Sequence, residues 1–426
     1  MVESTKKTDV YMMRWVSHLD WRFLSLLIPT FSLLVFLSLS LTPVNPFSWF
    51  GHLRSVTLNH TFTVDFQPNR TESAWNDELK RSRMAVCLVG GARRFELTGP
   101  SIVKMILKVY PNADLFLHSP MDKNAFKLSL LKVAPRLASI RIFVPKPIPE
   151  TEAHARVLTV VGSPSGLQGL LQYFNLVEGC LTLIKTYQTQ KNFTYDWVVR
   201  TRVDGYWNAP LDPSNFVPGH YLVPLESTYG GLNDRLGIGD LNTSTVALSR
   251  LSILPKLDSL GFRNLNSEIT FKTQLTTQHI PFLAKSVPFC VLTIREFVFP
   301  PPKWGVPVAA ISSPGTLSGA YCWPCKPVCE GACAENVMLS FEKGWSQIDL
   351  GNGTLQLCNA RGGWGQGWEM GFDRVAGEEL AAERKRVMAL KMEECVDDFN
   401  EMKRKVSGVW DSPSPAEICK LGLGNT

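Results

Sequence analysis

Within YDWVVRTRVDGYW (Tyr195–Trp207) charged and uncharged side chains alternate. Successive side chains of a strand point to opposite faces, so Arg200, Arg202 and Asp204 share one face and Val199, Thr201 and Val203 the other. Three charges cannot sit in the middle of a sheet without partners. At the carboxyl end of a central strand they line the crevice where open α/β sheets take ligands. The alternative is an internal Arg–Asp ion pair that merely closes the strand end. Arginine suits an anionic ligand, because its planar fork binds phosphate through two hydrogen bonds. A second pair, Arg93 and Arg94, follows the apolar run Met84–Val89 and Gly90-Gly91. Glycines at such a place let the backbone approach a nucleotide closely, although Gly-Gly also marks any tight turn.

The acidic residues divide by setting. Asp204 is a candidate ligand for Mn2+ or Mg2+, hard cations that take carboxylate oxygens and bridge diphosphates. Its rival role is to hold Arg200 or Arg202 in position, leaving the arginines in the place of a metal. Asp234 and Arg235 lie in the glycine-flanked GGLNDRLGIGD (Gly230–Asp240), where charged loop residues bind substrate or Asn233 and Asp234 make local turn bonds. Glu268 opens a helix predicted over Ser267–Leu275. It could deprotonate an acceptor hydroxyl as a general base, or simply be favoured there by the helix dipole. No Gly-x-Ser-x-Gly elbow, phosphate-binding Gly-Lys-Ser/Thr loop or His-Glu-x-x-His is present, and the seven histidines are dispersed.

The elements that must carry these residues alternate strand and helix. Strands are predicted at Met84–Val89, Ala113–Ser119, Ser139–Pro145 and Tyr195–Trp207. Helical stretches are predicted at Ser101–Val109, Ala125–Val133 and Leu167–Gln188, the last with Leu170, Phe174, Val177, Leu181 and Ile184 at three- and four-residue spacing. Such alternation implies parallel βαβ units and a mostly parallel α/β sheet flanked by helices. Arg93/Arg94 and Arg200/Arg202 would then emerge at one sheet edge.

Outside that domain the chain is different. Residues 23–42 form an uncharged stretch just long enough to span a bilayer of about 30 Å. Lys6, Lys7, Arg14 and Arg22 precede it and the next basic residue is Arg54, which keeps residues 1–22 in the cytosol. A cleaved signal is the competing reading, but Pro43, Val44, Asn45 and Pro46 replace the small residues such a site needs. Residues 43–80 are polar and irregular, a stem. Five Asn-x-Ser/Thr sequons (Asn59, Asn69, Asn192, Asn242, Asn352) all lie beyond the span. Prolines 300–302, Pro307 and Pro314-Gly315 separate an α/β domain at 81–298 from a tail at 299–426. There CWPCKPVCEGAC clusters Cys322, Cys325, Cys329 and Cys333. Disulfides are expected in an oxidising lumen, with zinc-bound thiolates or a redox-active Cys322/Cys325 pair as alternatives. One long amphipathic helix is predicted over Glu378–Val406. Trp364 and Trp368 in GGWGQGW could stack on a sugar ring or fill a glycine-rich turn.

Composition narrows the class. The 426 residues are 45% hydrophobic and 19% charged, which excludes a disordered chain. The net charge of +6 is scattered, so no nucleic-acid footprint is present.

The layout of cytosolic tail, anchor, stem and α/β domain resembles type II Golgi glycosyltransferases. The run Tyr195–Asp204 sits where GT-A-fold enzymes place Asp-x-Asp at a strand end. GGLNDRLGIGD and NSEITFKTQL (Asn266–Leu275) look like their acceptor-side loop and carboxylate-bearing helix. Overall the chain resembles a plant family of glycosyltransferase-like type II membrane proteins. The resemblance implies a GT-A-like lumenal domain at the Golgi membrane that moves a sugar from a nucleotide sugar to a hydroxyl of a glycan or protein. Arg202 stands at the first acidic position of Asp-x-Asp, so the carry-over reaches Asp204 alone. That departure favours an alternative, a non-catalytic lumenal protein binding glycans or a partner transferase. On the catalytic reading, Glu268 and Asp234 are the catalytic candidates, Asp204 the metal ligand, and Gly90, Gly91, Arg93, Arg94, Arg200, Arg202 and Arg235 the donor-binding set.

Overall fold

The computed structural model describes residues 71–161, 163, 165–293, 308–339, 345–346, 354–359 and 363–424. The expected anchor at 23–42, most of the stem and the sequons at Asn59, Asn69 and Asn352 lie outside them. Among the described residues no helix is long and apolar enough to cross a membrane.

The central strands form on apolar runs. β1 (Met84–Val89), β2 (Ala113–Pro120), β3 (Leu137–Phe143) and β4 (Trp197–Arg202) are followed by β5 (Gly205–Trp207), β6 (Tyr221–Pro224), β7 (Thr228–Tyr229), β8 (Leu236–Asp240), β9 (Phe282–Lys285) and β10 (Phe289–Leu292). Then come β11 (Ala309–Ala310), β12 (Tyr321–Trp323), β13 (Pro327–Cys329), β14 (Trp345–Ser346), β15 (Leu357–Cys358) and β16 (Trp410–Asp411). The main sheet runs β16-β3-β2-β1-β4-β8-β6-β9. β1, β2, β3, β4 and β16 are parallel, whereas β8 is antiparallel to both β4 and β6. β1 is buried along its whole length, as a central parallel strand covered on both faces must be. Its carboxyl end is level with that of β4, Val89 opposite Arg202.

The run predicted as one strand, Tyr195–Trp207, is two. β4 ends at Arg202, and β5 leaves for a second sheet ordered β13-β15-β11-β12-β10-β5. Thr98 Oγ1 donates to the Val203 carbonyl at 2.7 Å and fixes the crossing point. Glycine is needed at 205 because a Cβ would press on the Phe289 ring at 2.5 Å and on the Arg202 carbonyl at 2.9 Å.

Other boundaries shift for local reasons. The first helix of the α/β unit is Phe95–Ile102, continuing as a π-helical turn at Val103–Leu107. The helix predicted over Ser101–Val109 starts earlier, at Phe95, and runs through Gly99 and Pro100. The stem, expected to be irregular to residue 80, ends in the helix Glu72–Arg81. Its Trp75 packs edge-on against Trp197 and donates Nε1 to the Pro213 carbonyl at 3.1 Å. The single helix expected over Glu378–Val406 is a pair, Glu378–Met388 and Met392–Lys405. Glu394 accepts from the Lys391 amide at 2.9 Å and starts the second helix.

From Thr71 onward the chain makes one compact unit. The boundary expected near 299 falls among undescribed residues, and strands from either side of it share the second sheet. All ten cysteines are paired: Cys87–Cys180, Cys290–Cys322, Cys325–Cys358, Cys329–Cys333 and Cys395–Cys419. The disulfide expectation for the tail holds. The zinc and Cys322/Cys325 alternatives do not, since Cys322 pairs back to β10 and Cys325 to β15.

Candidate functional site

The site begins where β1 and β4 end. Gly90 has φ +120°, a conformation that favours glycine, and turns the chain out of β1. Lys127 donates Nζ to the Arg93 carbonyl at 2.8 Å and pairs with Glu96 at 2.9 Å, tying the 90–94 loop to the first turn of the helix that follows it. Arg93 can therefore reach across to the next strand, where its Nη1 lies 3.3 Å from Asp204 Oδ2. Arg202 grips the same carboxylate at two points. Asp204 is buried, which alone would raise its carboxyl. The Arg202 guanidinium and its hydrogen bonds, helped by Arg93, outweigh burial and hold it below the usual carboxylate range. Arg94 turns elsewhere, its guanidinium 4.6 Å over the Trp364 ring. Trp364 in turn packs edge-on against Trp368 and Trp323. Gly91 sits tightly against Asp122, whose carboxylate a Cβ would meet at 2.8 Å.

One step back along β4 stands Arg200. It is 1% exposed and faces the helix Gly166–Lys191 rather than open crevice. Its Nη2 donates to Tyr173 Oη at 2.9 Å and to the Asp234 carbonyl. Tyr173 donates to that carbonyl at 2.8 Å. The two faces expected of β4 thus hold, but Arg200 is an interior residue beneath the rim that Arg202 and Asp204 form.

The GGLNDRLGIGD segment closes the far side. Asn233 donates to the Glu226 carbonyl at 2.7 Å and accepts from the Arg235 amide at 3.1 Å. Arg235 donates Nη1 to the carbonyls of Ser227 at 2.9 Å and Gly319 at 2.8 Å. Its Nη2 is 3.8 Å from Glu268 Oε1, and its guanidinium covers the Tyr321 ring at 4.5 Å. Glu268 lies in the first turn of the helix Ser267–Thr277, capped by Asn266 accepting from the Ile269 amide at 2.8 Å. Glu268 Oε2 also accepts from the Tyr229 amide. Burial pushes its carboxyl up to about 7, with Asp234 raising it and Arg235 and the Tyr229 amide opposing.

The expected residues therefore form three touching groups: Arg93–Asp204–Arg202, Arg200–Asp234 and Arg235–Glu268. Tyr173 and Tyr321 lie between them, Tyr173 in the electrostatic reach of both Arg200 and Arg202, and Tyr321 in that of Arg202. Sequence reasoning missed Tyr173, Tyr321 and Arg250. Arg250 had a signal, since it is a lone charge in the otherwise uncharged, largely apolar VALSRLSIL (Val246–Leu254). Tyr321 had none, because the Cys290–Cys322 bridge and the β10–β12 pairing bring it in from the tail.

The residues around Asp204 do not fit a divalent metal. Both carboxylate oxygens are engaged by guanidiniums, so a cation would meet two positive charges and share one negative one. Among the described residues no three His, Cys, Asp or Glu side chains are placed to hold an ion. The electropositive rim suits an anion instead, with the arginines in the metal's place.

No curated protein matches this chain. Among solved structures, the crystal structure of mouse xyloside xylosyltransferase 1 in its apo form is similar at 13% identity and a TM-score of 0.31. That likeness covers 48% of this chain and 85% of the other. A family model described as "Domain of unknown function (DUF7796)" matches residues 79–425. The chain belongs to that family.

Proposed function

We propose that this protein is a glycosyltransferase that moves a sugar from a nucleotide sugar to a hydroxyl acceptor. The observation that carries the reading is the meeting of Arg93 and Arg202 on Asp204 at the level carboxyl ends of two adjacent parallel strands. A nucleotide sugar brings about two negative charges, and its leaving diphosphate gains more as the bond to the anomeric carbon breaks. Guanidiniums held in place before the reaction stabilise that charge without reorganising. Asp204 keeps the two arginines from drifting apart, and when the donor arrives Arg93 and Arg202 turn some of their N–H groups from Asp204 to the phosphate oxygens. As the acceptor oxygen bonds to the anomeric carbon, its proton passes to a carboxylate. Glu268, with a carboxyl near neutrality, is the base suited to take it.

The five disulfides support an oxidising compartment. With the apolar stretch at 23–42, they are the basis for proposing a single-pass type II protein of the Golgi membrane with its C-terminal domain lumenal. A second reading has one observation in its favour: Asp204 is saturated by arginine and Glu268 by Tyr229 and Arg235, as in a fold kept for binding glycans or a partner transferase.

A thermal-shift screen of the full chain against nucleotide sugars and nucleoside diphosphates, followed by a transfer assay with the donors that bind, separates the two. Donor at about 100-fold over Kd should stabilise the fold by about 2.7 kcal/mol. Donor binding with turnover supports the enzyme. Glycan binding without any nucleotide-dependent shift supports the binder.

A further inference from the structure

Arg250 lies between the helices Leu241–Leu248 and Leu254–Ser259 and is 1% exposed. Its guanidinium is 3.4 Å from the centre of the Phe271 ring, and Nε donates to the Ala247 carbonyl at 2.7 Å. Its Nη1 is buried without an acceptor. Arg200, equally buried, leaves Nε and Nη1 without acceptors, and Asp234 Oδ2 has no donor. Tyr173, Arg200, Asp234 and Arg250 form one electrostatic cluster, each within reach of the others' charge. Two guanidiniums and one carboxylate thus lie close together away from solvent, Arg200 meeting Asp234 through its backbone carbonyl rather than its carboxylate. Donors lacking acceptors stand in the same cluster as an acceptor lacking a donor.

A buried polar group left unpaired costs about 1–3 kcal/mol, so the chemistry of what would satisfy all of them is restrictive. A phosphate or carboxylate suits the guanidiniums but meets Asp234 Oδ2 as a like charge. An ammonium suits Asp234 and is repelled by both arginines. A hydroxyl does both, because it accepts and donates, and a rigid ring carrying several hydroxyls is a sugar. The position agrees: Arg200 stands two residues before Arg202 on the same face of β4, about 7 Å deeper at roughly 3.4 Å per residue. That is the scale separating a diphosphate from the hydroxyls of the ring attached to it.

We propose that Arg200, Arg250 and Asp234 form the subsite that reads hydroxyl groups of the transferred sugar, taking an uncharged ring over one bearing a carboxylate or a free ammonium. This rests on the nucleotide-sugar reading above. The cluster is closed by Tyr173 from the helix Gly166–Lys191, so filling it requires that helix or the Asp234 loop to give way as the donor enters.

Calorimetric titration of the full chain tests it, with UDP, GDP and their glucose, galactose, xylose, mannose and fucose conjugates as probes. One nucleotide sugar should bind at least about tenfold more tightly than its parent diphosphate, the scale of one hydrogen bond to a charged group. Arg250→Met should erase that advantage and leave the affinity for the bare diphosphate within twofold, whereas Arg93→Ala should weaken both. Replacing the recognised hydroxyl by hydrogen in the donor should cost the same tenfold on the unaltered protein, which decides the matter even if Arg250→Met does not fold. Equal affinity for the diphosphate and all its conjugates would mean that the cluster holds water only, and the subsite is overturned. It is overturned equally if UDP-glucuronate binds more tightly than UDP-glucose through Arg250, the mark of an anion site. Binding of neither diphosphates nor conjugates defeats the nucleotide-sugar reading itself, and the subsite with it.

Discussion

Arg202 holds Asp204 by a two-point fork, Nε to Oδ1 at 2.7 Å and Nη2 to Oδ2 at 2.8 Å, while Arg93 takes a third contact on the same carboxylate. The carboxylate is buried, yet the side chains of Arg202 and Arg93 are 22% and 45% exposed. Removing Asp204 therefore frees two cations that can turn to water, and the fold should survive. Asp204→Ala is expected to cost about 1–3 kcal/mol of stability and roughly 10²–10³ in transfer rate. Denaturation curves alongside turnover would show it. Unchanged turnover in a folded variant would reduce Asp204 to a strut. The same pairing has a pH signature. Its stabilisation is present above about pH 4, the ordinary carboxyl value, and is lost as pH falls through the lower folded value. Asp204→Ala should flatten that acid limb.

Glu268 behaves in the opposite sense. Its carboxyl titrates near 7 in the fold against a usual value of 4.5. The folded state therefore holds a proton that the unfolded chain has released. Stability should be full below pH 4.5 and decline as pH rises through 7, by up to roughly 3 kcal/mol at 1.36 kcal/mol per unit. Glu268→Gln should remove this decline. If Glu268 is the base, transfer should rise with an apparent pKa near 7 on its acid limb, and that limb should vanish in Glu268→Gln.

Gly231 shows how closely the two sides of the site are fitted. A Cβ there would overlap the backbone of Glu268 and Ile269, which cannot move aside as a side chain can. Gly231→Ala should cost about 1–3 kcal/mol or more and displace the first turn carrying Glu268. Loss of the pH dependence ascribed to Glu268, measured on the folded variant, is the specific readout.

The parallel core was legible in sequence because its signals are local. Met84–Val89 is an unbroken apolar run, and it matches β1 in full. The helix Gly166–Lys191 follows from apolar spacing, and the one-sided charges after Val199 pointed to the rim. The seam after Arg202 was not legible, since strand alternation continues unchanged through Val203 and Asp204 while the backbone changes sheets. The burial of Arg200 was equally hidden. Its partners, Tyr173 and the Asp234 carbonyl, are 27 and 34 positions away and no short-range pattern joins them. The cysteines were read as a tail cluster, but their partners depend on which strands become neighbours.

The bridge between Cys87 and Cys180 illustrates this. It ties β1 to the helix Gly166–Lys191 across a separation of 93 residues. Closing so long a loop in the unfolded chain is worth about 4–5 kcal/mol in the chain-entropy model. A Cys87→Ala/Cys180→Ala variant should lose that order of stability in denaturant titrations, with the other four bridges intact by non-reducing peptide mapping. A loss under about 1 kcal/mol would mean that the unfolded chain is already constrained there.

The two described sequons should differ in use if the domain is lumenal. Asn192 is exposed at the end of a helix with φ +53° and an exposed Thr194 two residues on. Asn242 lies within the helix Leu241–Leu248, and its Ser244 is fully buried. Endoglycosidase treatment should shift the mobility of the secreted-pathway protein. Asn192→Gln should reduce the shift and Asn242→Gln leave it unchanged. No shift in the unaltered protein, or unchanged shifts in both variants, would count against the lumenal placement of these sites.

Because the chain passes from β4 in one sheet to β5 in the other between Arg202 and Gly205, Asp204 is the stitch that joins two fabrics. Four of the six strands in the second sheet, β11, β12, β13 and β15, come from beyond residue 298. A polypeptide shortened at that point would keep every charged residue of the rim and still leave β5 and β10 a lone two-stranded ribbon, too small to be stable by itself. Cys290 would have no sulfur to meet and Arg235 no Tyr321 to cover. The residues beyond 298 are therefore not a detachable module, and recombination at the proline-rich segment should be tolerated only when both halves come from close kin.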